Sequence, residues 1–109
     1  YADALDNHPE VVEGCLYASV ALQGSEYPNA VSKIAADSID QTTTLLRPYF
    51  EAAIRAAAPR KKITADDLTD MFISVGEGSI ISAAYRKEPS LPGRQFRTLK
   101  AQLELLFGR

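Results

Sequence analysis

Few residues in this chain carry reactive groups, and each has a plain structural alternative. His8 is the only histidine. One imidazole makes no recognisable metal site, so beside Pro9 it reads as an exposed or capping group. Cys15, the only cysteine, follows Gly14 near the start of a predicted helix. The helix dipole there would lower a thiol pKa, whereas the apolar residues around it would keep the thiol protonated and inert. A single cysteine excludes an internal disulfide and a thiolate zinc site, and it fits a reducing cytoplasm. Ser38 and Thr42 interrupt an apolar helical stripe one turn apart, with Thr43 bordering the same face. Two readings stand: polar anchors in a greasy small-molecule cavity, or hydroxyls bonded back to a carbonyl one turn earlier. Cys15 and Ser19 form a similar small, weakly polar pair.

The carboxylates offer less. Asp66, Asp67 and Asp70 are charges at a helix start, where the dipole favours them. No Ser-His-Asp order or paired buried acids can be assembled, and no cofactor or metal site emerges. Gly76-Glu77-Gly78 falls mid-helix without the preceding strand that a phosphate loop needs, so these glycines are expected to let another helix come close. The sequence therefore reads as no enzyme.

Composition bounds the rest. A chain of 109 residues is one domain, spanning 1–109, large enough to bury a core without staples. A net charge of −2, with basic residues scattered apart from Arg60-Lys61-Lys62, leaves no nucleic-acid footprint in this segment. No apolar run is long enough to span a membrane, so no membrane partner is expected. The opening Tyr1-Ala2-Asp3 without a methionine leads to the expectation that the chain is a piece of a longer protein.

The elements that position these groups are all helical. Residues 1–7 read as a helix end stopped by Asn7-His8-Pro9. A helix apolar nearly all round follows over about Glu10–Gln23, closed by Gly24. The longest helix runs from about Pro28 to Ala57, carrying the stripe Val31, Ile34, Ala35, Ile39, Leu45, Leu46, Tyr49, Phe50, Ala53 and Ala57, with Pro48 expected to kink it. Thr64 and Asp67 form a capping box, with Ile63 and Leu68 as staple. The helix they open ends near Lys87, before Pro89. Its core face is expected to hold Leu68, Met71, Phe72, Val75, Ser79 and Ser82; Ile73, Ile80 and Ala84, with Gly76 at the edge, form a second apolar face after Asp70. Two apolar faces need cover on both sides, and unburied apolar surface usually means a partner. A last helix over about Ser90–Phe107 puts Phe96, Leu99, Leu103, Leu106 and Phe107 on one side. The architecture is thus an all-α antiparallel bundle of about four main helices plus an N-terminal helix fragment.

The order of these features resembles the C-terminal ligand-binding and dimerisation domain of TetR-family transcriptional regulators. Gly14-Cys15-Leu16 opens a buried helix, then comes a long amphipathic helix. Gly78-Ser79-Ile80-Ile81-Ser82-Ala83-Ala84-Tyr85-Arg86, a proline turn and a last helix ending Leu105-Leu106-Phe107-Gly108 complete the likeness, which covers roughly Pro9 to Gly108. The resemblance implies that the last two helices pair with their copies in a four-helix homodimer interface, through Ile73, Gly76, Ile80, Ile81, Ala84, Phe96, Leu99, Leu103 and Leu106. It implies a pocket for a small, mostly apolar effector, for which helix phase selects Cys15, Ser19, Thr42, Leu46, Met71 and Val75. DNA would be contacted only through a helix-turn-helix domain outside these residues, its affinity altered by a shift in population between two spacings. A non-enzymatic helical adaptor that binds a partner protein is the alternative.

Overall fold

The computed structural model describes residues 2–7 and 28–108, and these form four helices. They are α1 (Ala2–Asn7), α2 (Asn29–Ala56), α3 (Ala65–Arg86) and α4 (Leu91–Leu106). No strand occurs among the described residues, which are all-α as expected. The helix expected over Glu10–Gln23 lies outside them.

Each boundary has a local cause. Pro28 precedes α2 in an extended conformation, and its carbonyl accepts from Val31 N–H at 2.9 Å. The helix contains no glycine and runs through Pro48 without a break. Ala57 turns extended and ends it ahead of Pro59. Thr64 caps α3: its Oγ1 accepts from the Asp67 N–H at 3.0 Å, and the Asp67 carboxylate accepts from the Thr64 N–H at 3.2 Å. Leu68, at the inner staple position, is fully buried. At the other end Lys87 takes the left-handed conformation (φ 53°), and the N–H groups of Lys87 and Glu88 both reach the Ala83 carbonyl. The short turn into α4 is held by Glu88, whose two carboxylate oxygens take Arg86 at 2.8 Å and Arg94 at 3.0 Å.

The core lies between α3 and α4. Thr69, Gly76 and Ala83 recur at seven-residue intervals on α3, and these small residues let α4 come close. The Phe96 ring stands 3.2 Å from where a Gly76 Cβ would sit. Leu91 packs on Ala83 and a second cluster gathers around Phe96 and Leu99, with Met71, Phe72, Val75 and Leu103 against it. This close approach corrects the expected face of α3. The buried side turns toward Thr69, Ile80 and Ala83, whereas Ser82, expected in the core, is exposed. The Thr69 hydroxyl is accommodated there by donating to the Ala65 carbonyl at 2.7 Å.

The second correction concerns α2, which has no fully buried residue. Its half-buried inner side is Ile39, Leu46, Phe50, Ala53 and Ala57. Ile34, Leu45 and Tyr49, expected on the same stripe, are 66%, 71% and 76% exposed. They stand roughly a third of a turn round the helix from that inner side, an arc wider than one neighbouring helix can cover.

The two glycines of α3 should respond oppositely to substitution. At Gly78 an added Cβ would meet nothing within 4 Å, so Gly78→Ala should raise stability by about 0.5–1 kcal/mol through helix propensity. Gly76→Leu would drive into Phe96 and should lower stability by roughly 1–3 kcal/mol. Paired thermal or urea unfolding of the two variants measures the difference.

Candidate functional site

Three phenylalanines, one from each long helix, meet at the centre. Phe50 of α2 and Phe72 of α3 have ring centroids 6.3 Å apart and tilted by 59°; Phe72 and Phe96 of α4 are 5.0 Å apart and tilted by 50°. Both distances lie in the range where tilted aromatic pairs attract. Beside this row the helices do not close. A groove of about 360 Å³ runs between Phe50, Ala53, Ala56 and Ala57 on α2 and Phe96, Leu99, Leu103 and Phe107 at the other wall, with Phe72 at its base. Lys100 and Glu104 stand at its rim, loosely paired at 3.9 Å. The volume is within the range of ligand pockets, roughly 300–1,000 Å³, and the walls are carbon. The cause is local: alanines on α2 face phenylalanines and leucines on α4, and the small side chains leave the space unfilled.

The residues selected from helix phase lie elsewhere. Cys15 and Ser19, with His8, are outside the described residues. Thr42 is exposed and its hydroxyl donates to the Ser38 carbonyl at 2.9 Å; Thr43 and Thr44 do the same to Ile39 and Asp40 at 3.0 and 2.9 Å. Of the two readings for these hydroxyls, the back-bonded one holds for the threonines. Leu46 and Met71 are half-buried and do not border the groove. Val75 lines a different recess of about 350 Å³ between α3 and α4, whose other walls include Ser74, Ser82, Arg86 and Gln95. The groove was legible only as a pairing of Ala53, Ala56 and Ala57 with a phenylalanine-rich last helix, and which helices face each other is not a property of either stretch alone.

The residues proposed for a dimer divide three ways. Ile80, Phe96 and Leu99 are 8%, 7% and 7% exposed within the single chain, so these three have little surface left for a second copy, and half-buried Gly76 sits under Phe96. Ile73, Ile81, Leu103 and Leu106 are half-buried, with Leu103 facing the groove. Ala84 is exposed.

A polar clamp fastens α1 to the other side of α4. The Arg97 guanidinium donates to Asp3 at 2.7 Å and to Asp6. Gly93 makes room for it: a Cβ there would run into the Asp6 carboxylate and lie 3.1 Å from the Ala2 carbonyl. The hydrogen bond from Arg97, then its charge, hold the Asp3 carboxyl below the usual carboxylate range. Hydrogen bonds from the Thr64 hydroxyl and then its N–H do the same for Asp67. Among the described residues no group of three His, Cys, Asp or Glu side chains comes together to hold a metal ion, and no helix is long and apolar enough to cross a membrane. Compared with protein-family models, curated proteins and solved structures, the chain matches none.

Depressed carboxylates fix the sign of a pH effect. Their contribution is fully present above the unfolded pKa, about 4, and is lost as pH falls through the lower folded value. Because Asp3 is solvent-exposed, the effect should be small and screened by salt. The protection of the α1 amides, taken relative to their intrinsic exchange rates, should therefore fall below about pH 4. Arg97→Gln should produce the same loosening at neutral pH and remove the Asp3 part of the acid dependence.

Proposed function

We propose that this chain is the effector-binding and homodimerising domain of a TetR-like transcriptional regulator acting in the cytoplasm. A small molecule binding here would change the DNA affinity of a helix-turn-helix domain outside these residues. The observation that carries the reading is the carbon-walled groove of about 360 Å³ among α2, α3 and α4. It has the size and lining of a small-molecule site, and its walls come from three different helices, so an occupant would change their relative placement. The order of helices, with a capped penultimate helix and a proline turn into the last, supports the same reading. The mechanism is a population shift: an effector that prefers one helix arrangement biases the protein by the difference in its affinities for the two. The reading includes no catalytic step, cofactor or membrane contact.

One observation favours the alternative, a non-enzymatic helical adaptor. Ile34, Leu45 and Tyr49 present an exposed apolar line on the outer side of α2, which a partner protein would cover.

Sedimentation of the purified chain at micromolar concentration should give a dimer. Ala84→Arg, on an exposed position that leaves the chain's own core untouched, should shift it to monomer, while Leu45→Lys should leave the dimer intact. A monomeric parent chain would count against the regulator reading, and a dimer broken by Leu45→Lys would favour the outer side of α2 as the contact.

A further inference from the structure

One end of the groove adjoins, along the chain, a basic cluster that does not itself line it. Arg60, Lys61 and Lys62, the only run of three basic residues in the chain, lie within the connection between α2 and α3. Ala57 lines the groove, and the three residues from there to Arg60 span at most roughly 10 Å. The Arg60 N–H donates to the Leu106 carbonyl at 2.7 Å, next to Phe107, the groove's terminal wall. The guanidinium lies over Gly108, with Nε 3.5 Å and Nη2 3.6 Å from where a Cβ would be. Arg60 has a structural use there, since the last turn of α4 carries no basic residue of its own and a cation complements the helix dipole. That use needs one charge, and three are present. All three are exposed, and among the described residues none of them is in an ion pair. At the rim itself Lys100 and Glu104 oppose one another at 3.9 Å, so that pair adds no net charge of its own.

Building on the effector-binding reading, we infer that the groove takes a small amphipathic carboxylate. Its hydrocarbon or aromatic part lies along Phe50, Phe72 and Phe96, and its carboxylate is held at the Ala57–Phe107 end by Arg60 with Lys61 or Lys62. The carbon walls supply affinity without selecting a head group, because they offer no fixed donor or acceptor. The basic end supplies the selection, because a guanidinium and an ammonium both give charge-assisted bonds to a carboxylate and repel a cation.

Isothermal titration calorimetry with three probes of equal chain length separates these contributions: octanoate, 1-octanol and octylammonium. Octanoate should bind roughly tenfold or more tighter than octanol, the effect of one charge-assisted contact, with octylammonium weakest. The variant Arg60→Gln/Lys61→Gln/Lys62→Gln, confined to exposed positions, should reduce octanoate binding to the octanol level and leave octanol unchanged. Ala56→Trp, which fills the groove from an exposed position on its wall, should weaken all probes. Octanol binding as tightly as octanoate, or a triple variant that binds octanoate normally, overturns the carboxylate inference and leaves the effector reading standing. No binding by any probe, or binding untouched by Ala56→Trp, overturns the groove as a ligand site and the inference with it.

Discussion

The closeness of α3 and α4 at Gly76 is the constraint on which the rest depends. With no side chain at that position, the Phe96 ring reaches within contact distance of the α3 backbone. Once Phe96 is seated there, Phe72 has a tilted partner at 5.0 Å and Phe50 of α2 falls into line behind it. One absent Cβ thus fixes the spacing of two helices, and the aromatic row transmits that spacing to a third. The same geometry rotates the buried side of α3 toward Thr69, Ile80 and Ala83, because the residues nearest a closely packed helix become the core.

The groove is the other consequence of this arrangement. α2 meets its neighbours through the Phe50–Phe72 contact, an Arg47–Asp66 ion pair and a half-buried side of Ile39, Leu46 and alanines, and it buries no residue completely. Two helices whose closest residues are alanine and phenylalanine cannot interdigitate along their full length, so space remains past the ring contact. That space is adjacent to the best-packed part of the chain, and a molecule entering it would touch the rings that set the helix spacing. The clamp of Arg97 on Asp3 and Asp6 lies on the same helix, α4, so α1 is fastened to an element that also walls the groove.

Much of this was legible from the residues in order. Thr64, Asp67, Ile63 and Leu68 stated the start of α3, Pro89 its end, and Gly76 the close approach. The exposed line on α2 and the rotation of α3 were not legible, because apolar periodicity gives an arc without saying which part of it a neighbour covers. Thr42, Thr43 and Thr44 left two readings open until the carbonyls one turn back were in place. The Arg97 clamp joins residues more than ninety positions apart, and no local pattern marks Asp3 and Asp6 as its partners.

By itself the sequence determined the helical class, the caps, the ends of the helices and the scarcity of reactive groups. These follow from interactions between residues within about four positions of each other, which the chain carries wherever it folds. Only the tertiary structure decided that Phe50, Phe72 and Phe96 form one row, that Ile80, Phe96 and Leu99 turn inward, and that alanines at 53, 56 and 57 leave a groove. Those depend on the distance and phase at which helices meet, and that is set by packing between surfaces distant in the chain.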